Sequence, residues 1–354
     1  MYSIQDRIPV SIVIANYNYA HFLKRSIDSA LEQSYGDAEV IVVDDASTDA
    51  TADVVASYGS RIKTCLREVN GGHAAAFNTG FAASRGKIVL FLDADDYLYP
   101  NAVSEVVDAW EENTAQVQFR LHIVDEDMHV RDVFPPEELP FDSGDVTPQL
   151  LRKGRYQTTV TSGLAFRRSV LDKVMPVPEQ EFRQGADGYL ATVAPLHGEV
   201  TSIDDCLGAY RIHGANHSVF AKKLGQRARW RIQHDFRRLE ALSDQATEIG
   251  LDVPGDAGLH DPVHLEERLA SLCIDRERHP VSSDSRLSLA AAGAVASLEM
   301  NASARRRAML AAWFLSVGVL PRRMAKAVLS WKLVASSRPR LLLRLSKTIR
   351  HAMG

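Results

Sequence analysis

Residues 87–96 read KIVLFLDADD: five apolar residues in a row, Ile88 to Leu92, closing on Asp93, Asp95 and Asp96. A short apolar run of this kind, buried on both faces, is the pattern of a strand inside a sheet covered by helices on each side. Three more runs upstream have the same character: VSIVIA (Val10 to Ala15), EVIVVD (Glu39 to Asp44) and Arg61 to Leu66. Between them apolar residues return at helical spacing. Leu23, Ile27, Ala30 and Leu31 form one set, Ser47 with Asp49 marks a helix start before Val54 and Val55, and Ala74, Phe77 and Phe81 line a third face. Strands alternating with helices predict an α/β chain with a Rossmann-like, mostly parallel central sheet. Its ligand site belongs at the carboxyl ends of the strands.

Two of those strands end in acids, VVDD at Val42 to Asp45 and FLDADD at Phe91 to Asp96. Carboxylates gathered at one sheet edge repel one another, and a hard divalent cation such as Mg²⁺ or Mn²⁺, carried with a diphosphate, is the natural reason to collect them. The bland reading, that each Asp caps a helix or closes a turn, is even odds for one cluster and weaker for two on one edge. The turn after the first strand, Ala15-Asn16-Tyr17-Asn18, has no glycine, and the chain has no Walker sequence. Both dinucleotide and P-loop folds are therefore disfavoured. Tyr17 is placed to stack on a flat base, although a packed surface tyrosine is the commoner fate.

The chain has 354 residues, 45% of them hydrophobic and 24% charged, the composition of a globular protein with a real core. Its net charge of −4 is unevenly spread. From Met300 to Gly354 there are nine arginines, three lysines and no acid, whereas the 299 residues before carry 29 bases and 45 acids. Three cysteines without a CxxC pair support neither a disulfide framework nor a zinc site, and MYSIQDRIPV lacks the apolar stretch of a signal peptide. A cytoplasmic protein is expected.

Downstream, Phe134 to Pro148 holds four prolines and Gly144 and reads as an irregular loop. Tyr156 to Phe220 reads as mixed short strands and helices. From about Lys222 the set Ala228, Ile232, Phe236, Leu239 and Leu242 marks an amphipathic helix, and Gly250 to Ser285 reads as turn-rich.

Five stretches in order, SIVIANYN (Ser11 to Asn18), VIVVDDASTD (Val40 to Asp49), NGGHAAAFNTGFAASRG (Asn70 to Gly86), VLFLDADD (Val89 to Asp96) and YRIHGANHS (Tyr210 to Ser218), together resemble the family-2 inverting glycosyltransferases of the type-A fold. The resemblance implies a base pocket lined by Ala15 and Tyr17. In it Asp45 accepts a hydrogen bond from the base, commonly uracil, and Asp44 supports that turn. Asn70, Gly72 and Asn78 would shape the wall under the nucleotide. Asp93 would face the ribose, with Ala94 beside it in the nucleotide-sugar stretch, and Asp95 would bind the Mn²⁺ or Mg²⁺ that carries the diphosphate. His213 is implied as a further metal or phosphate ligand and Arg211 as a diphosphate contact. For Asp96 capping and a role in the site both stand.

In the same family the catalytic base lies in an acidic motif well after the DxD. The matching stretch here is GADGYL, with Asp187, 92 residues beyond Asp95, as the base. Glu179, Glu181, Asp204 and Asp205 are rivals. Two departures are Ala186, where relatives often have a second acid, and Phe77, where many carry a basic residue that touches phosphate. The reaction implied is transfer of a sugar from a nucleotide sugar, with a uridine diphosphate carrier, to a hydroxyl of a glycan or lipid-linked acceptor in cell-surface polysaccharide or glycoconjugate synthesis. Two alternatives remain at this point: a catalytically degenerate, transferase-like binding subunit, and a Mg²⁺-dependent receiver-type phosphotransfer domain, which VVDD suggests but whose acid pair would end the first strand.

The domain expectation is a catalytic domain over 1–220 (nucleotide-binding half 1–133, acceptor-side half 150–220), a helical extension over 221–300 and a basic amphipathic tail over 301–354. The longest apolar run, Ala308 to Leu320, covers about 20 Å as a helix against roughly 30 Å of hydrocarbon and does not span a bilayer alone. Bracketed by Arg305 to Arg307 and by Arg322 and Arg323, it suits a helix lying in the interface of an anionic membrane. A peripheral enzyme on the inner face of the cell membrane follows, with packing into a helical bundle as the rival. Arginines interleaved with long aliphatics do not suit nucleic acid.

Overall fold

The computed structural model describes residues 8–139, 141–214, 224–300 and 302–333. They form two compact units, one of residues 8–213 with 238–254, the other of 214–237 with the described residues from 255 onward. The last part of the expected tail, 334–354, lies outside the described residues.

The first unit is built on a nine-stranded sheet. Strands β1 (Val10–Asn16), β2 (Ala38–Asp44), β3 (Lys63–Leu66) and β4 (Ile88–Asp93) alternate with helices α1 (Ala20–Leu31), α2 (Thr51–Ala56) and α3 (His73–Ala83). All three pairings among these strands are parallel, in the order β3-β2-β1-β4. Alternation of side chains sorts each strand between two cores. Ile12, Ile14, Val40, Val42 and Leu90 pack with Leu23 and Ile27 of α1, whereas Val13, Ile41, Val43, Val89 and Phe91 pack with Ala74 and Phe77 of α3. Helix α3 crosses β1 closely at Gly80, where a Cβ would lie 2.2 Å from Val13 Cγ1.

The remaining elements are β5 (Tyr97–Leu98), α4 (Ala102–Asp108), β6 (Thr114–Val124), β7 (Val130–Phe134), α5 (Thr147–Lys153), β8 (Leu164–Arg167), α6 (Arg168–Val174), α7 (Ala186–Val193) and β9 (Glu199–Arg211). Beyond β4 the order continues β8-β6-β9-β5, with β7 paired to β6. Here only β6 and β9 run parallel; β4–β8, β6–β8, β6–β7 and β5–β9 are antiparallel. The parallel pattern thus belongs to the nucleotide-type half, and the complete sheet is mixed. Register sets the site. Ala15 pairs with Val43 on one side and Asp93 on the other, and Asn16 with Asp44, so the acids of VVDD and DADD leave the sheet at one edge.

The second unit is helical. Helix α8 (Leu224–Glu248) gives it its first turns and, from Arg238, belongs to the first unit. It is joined by α9 (Pro262–Ile274), α10 (Arg286–Leu298), α11 (Ala304–Val319) and α12 (Arg322–Leu333). Within the stretch read as turn-rich, α9 forms because Asp261 accepts hydrogen bonds from Val263 N and His264 N, with Pro262 at the first helical position. Leu265, Leu269, Phe314, Val317, Ala325 and Leu329 share one core. One face of α11 and of α12 therefore packs in the helical bundle of this unit. No helix among the described residues is long and apolar enough to cross a membrane.

Candidate active site

The turn after β1 is locked to the loop after β2. Asn16 Nδ2 donates to Asp44 Oδ1 (3.0 Å), Ser47 Oγ (3.2 Å) and Thr51 Oγ1 (3.1 Å). Asn18 takes a left-handed conformation (φ 57°), which Asn tolerates, and its Oδ1 accepts from Thr48 N at 2.7 Å. Asp44 therefore braces the turn after β1, and Tyr17 is 46% exposed. Ala15 O accepts from Ala94 N (3.2 Å), which ties the first strand end to the DAD stretch.

Asp45 is buried and heavily committed. Its Oδ1 accepts from Arg67 Nε (2.8 Å) and Gly71 N (2.9 Å), its Oδ2 from Gly72 N (2.6 Å), and its carbonyl oxygen from Asn70 Nδ2 (3.1 Å). One carboxylate thus organises the whole Asn70-Gly71-Gly72 turn before α3. Sequence reasoning missed Arg67, which also reaches Thr79 Oγ1 (2.7 Å) and which no motif marks.

At the end of β4, Asp93, Asp95 and Asp96 each bring a carboxylate oxygen within 4.8 Å of the others. Their surroundings divide their roles. Asp96 is fully buried: its Oδ2 accepts from Ser162 Oγ (2.6 Å) and its Oδ1 from Arg211 N (2.9 Å), which ties β4 to the end of β9. Burial, then Asp95 and Asp93, hold its pKa well above the usual carboxylate value. Asp95 Oδ2 lies 2.9 Å from His213 Nε2, and the imidazole is wedged against Tyr19 and Phe22, with centroids at 5.4 and 4.5 Å. Burial, followed by the charges of Asp95, Asp93 and Asp96, pushes the Tyr19 hydroxyl up to about 12. Arg211 is brought to this corner by its backbone, but its guanidinium is buried against Phe22, 4.6 Å from the ring centre.

His73, the first residue of α3, is a second residue the sequence reading passed over, although it directly follows the NGG signal. Its Nε2 lies 3.3 Å from Asp93 Oδ1 as an ion pair, without a well-aligned hydrogen bond. Burial alone would lower its pKa; Asp93, then Asp187 and Asp95, outweigh that and raise it. Burial raises the pKa of Asp93, the contact with His73 opposes this, and the charges of Asp95 and Asp187 add to the rise. His73 is thus the basic group that touches Asp93 and feels the charges of Asp187 and Asp95.

Asp187 sits in the first turn of α7, after Gly185 in a left-handed conformation (φ 80°). The segment leading to it is clamped to α3. Asn78 Nδ2 donates to Val177 O (2.9 Å) and Val177 N to Asn78 Oδ1 (2.8 Å), while Arg183 donates to both oxygens of Asn70 and His73 N to Arg183 O (2.7 Å). Asn70 and Gly72 therefore meet both the approach to Asp187 and the turn above β2, whereas Asn78 holds the 177–179 segment alone. Among the rivals, Glu179 accepts from Asn78 and Asp204 pairs with Arg120 across β6 and β9. Phe77 is core: its ring stacks on Phe91 at 4.0 Å.

This donor set suits a hard divalent cation. Asp93, Asp95 and Asp96 bring carboxylate oxygens together, Asp96 being also engaged by Ser162 and Arg211 N, and His213 Nε2 stands against Asp95 alone.

Comparison with known proteins identifies the family and the fold. The family model for glycosyl transferase family 2 matches residues 11–175. An uncharacterized glycosyltransferase of Nostoc sp. is 36% identical over 217 residues, 60% of this chain and 67% of that one. One from Rickettsia prowazekii is 41% identical over 99 residues, 28% of this chain and 31% of that protein, so the match spans under a third of its length. Among solved structures, the mannosyltransferase PcManGT of Pyrobaculum calidifontis, in complex with GDP-Man and Mn²⁺, aligns at a TM-score of 0.50 and 18% identity, covering 94% of this chain and 87% of that one; it shares the fold. The chain belongs to glycosyltransferase family 2 and has the type-A fold. It is a glycosyltransferase.

Proposed function

We propose that the chain is a metal-dependent, inverting glycosyltransferase that moves a sugar from a nucleoside diphosphate, a UDP sugar on the family resemblance, to a hydroxyl of a glycan or lipid-linked acceptor at the cytoplasmic face of the membrane. The observation that carries it is the corner where Asp93, Asp95 and Asp96 converge while Asp187, on the clamped segment, acts electrostatically on the same His73. Ala15 and Tyr17 take the base at the rim of β1. Asp45 accepts from it through Oδ2, which one backbone N–H engages already. Asp93 faces the ribose, Asp95 and His213 hold Mn²⁺ or Mg²⁺, and Arg211 shapes the diphosphate end through its backbone on Asp96.

The bound cation would offset the charge that develops on the departing nucleoside diphosphate. Asp187 takes the proton of the acceptor hydroxyl as its oxygen attacks the anomeric carbon from the face opposite the leaving group. Direct displacement inverts that centre, and the general base contributes a factor of about 10² to 10⁴. The mannosyltransferase of the same fold was solved with GDP-Man and Mn²⁺, which makes guanosine the carrier to compare with uridine and Mn²⁺ the metal to try first. A thermal-shift screen of UDP and GDP sugars with and without Mn²⁺, followed by product anomer analysis, tests the reading. No stabilisation by any donor, or a retained anomer, overturns it.

A further inference from the structure

Half of the large apolar side chains that stand exposed among the described residues fall within 287–324: Leu287, Val295, Leu298, Met309, Leu315, Val319 and Met324. On α11 they make a stripe. At 100° per residue, Ala308, Met309, Ala312, Leu315 and Val319 share one side of the helix, opposite Phe314, which is fully buried in the bundle core. Met309 is 63% and Val319 71% exposed. The stripe, about 17 Å long at 1.5 Å per residue, has exposed arginines at both ends: Arg305 and Arg306 before it, Arg322 and Arg323 after it. From residue 300 onward the sequence contains no acid.

We infer that this outer face of α11 is a docking surface for an anionic lipid bilayer, with the helix lying in the plane of the interface. The inference rests on the membrane-associated reading above and deepens it, because it assigns the contact to one face of one packed helix. The bundle side of α11 is already occupied, so the helix keeps its structure without lipid and presents a preformed surface. A bilayer of anionic lipid supplies both, an apolar layer for Met309, Leu315 and Val319 and a phosphate plane at the depth of the arginines.

The test uses the full chain in co-sedimentation with vesicles of phosphatidylcholine alone and of equal parts phosphatidylcholine and phosphatidylglycerol. Four proteins are compared: wild type, Met309→Glu with Leu315→Glu, Arg322→Gln with Arg323→Gln, and a chain lacking residues 334–354. Circular dichroism and light scattering check fold and mass. The wild type is expected to bind only the anionic vesicles, the Met309/Leu315 variant to bind about 100-fold more weakly, at about tenfold per lost apolar contact, and the arginine variant several-fold more weakly. If deleting 334–354 abolishes binding while both α11-face variants bind like wild type, the inference is overturned and the membrane reading stands. If the wild type binds neither vesicle, both fall. If the Met309/Leu315 variant turns a dimer into a monomer with vesicle binding unchanged, the face is a subunit contact and the inference is overturned.

Discussion

The carbonyl oxygen of Arg183 lies over Gly72 so closely that a Cβ built on Gly72 would come within 2.3 Å of it. Gly72 has φ of 84°, a region L-residues rarely enter, and the same Arg183 oxygen accepts from His73 N at 2.7 Å. Two segments 111 residues apart, the turn above Asp45 and the approach to Asp187, meet at this point.

Gly72→Ala should therefore both strain the turn and push the segment before Asp187 outward. The expected cost is about 1–3 kcal/mol of stability, read from urea unfolding, with turnover down by tenfold or more. An alanine variant with wild-type turnover would show that the segment moves freely, against the clamp described here.

Asp45→Asn replaces one acceptor oxygen by an amide that faces a donor, either Gly72 N or the Arg67 and Gly71 pair. It also leaves Arg67 without its ion-pair partner. Removing one member of a buried, hydrogen-bonded pair costs about 2–4 kcal/mol, and the denaturation midpoint should fall accordingly. The KM for the donor should rise as well, since the same oxygens serve the base. An equally stable variant contradicts the role given to this carboxylate.

Among the acids of β4 the substitutions should separate. Chelation should abolish turnover, and Asp95→Asn should not be rescued by added Mn²⁺. His213→Gln should raise the half-saturating Mn²⁺ concentration by about 10- to 100-fold, the usual effect of disturbing a ligand set. Asp96→Asn should act mainly on folding, because its oxygens accept from Ser162 and Arg211 N; its melting temperature should fall while the Mn²⁺ requirement of the folded protein is kept. A Mn²⁺ titration of all three variants beside a thermal melt tells them apart.

How much of this could be read from sequence depends on where each residue finds its partner. In β1, β2 and β4 the apolar residues pack into one core or the other, so the run itself is the signal. Strand β6 hides because Gln116, Gln118 and Arg120 interrupt its apolar residues. Their partners, Tyr156 OH, Ser202 Oγ and Asp204, are 40 to 84 residues away, and no local pattern foretells those contacts. Helix α9 carries a legible start in Asp261-Pro262, masked by the glycines at 250, 255 and 258 just before it. In the site, the acids were legible because strand ends announce them. Their cations were not: Arg67 and His73 matter through distances to residues 22 and 20 positions away.

Packing in the second unit gives an independent prediction. At Gly293 of α10 a Cβ would lie 2.2 Å from Phe314 Cδ1 of α11, so the two helices approach through a glycine. Gly293→Ala forces the Phe314 ring out of a fully buried position, and overpacking of this kind costs about 1–3 kcal/mol. Phe314→Leu made in the same chain should recover part of the loss in a thermal melt. A Gly293→Ala chain as stable as wild type would mean that α10 and α11 do not pack this tightly.

Asp187→Asn bears most directly on the chemistry. Asparagine keeps the size of the side chain and its place in the first turn of α7, so the segment held by Asn78 and Arg183 should stay where it is. What it loses is the ability to take a proton. Transfer to acceptor should fall by about 10² to 10⁴ while the thermal shift given by the donor with Mn²⁺ is preserved, since binding of the diphosphate depends on Asp95 and its neighbours. The charge near His73 also drops by one, which should make the His73–Asp93 contact less dependent on a third group. Slow hydrolysis of the donor by water, which relies less on a positioned base than transfer does, should decline less steeply. Normal transfer by Asp187→Asn would remove Asp187 as the base and return that role to another acid on the clamped segment, Glu179 or Glu181.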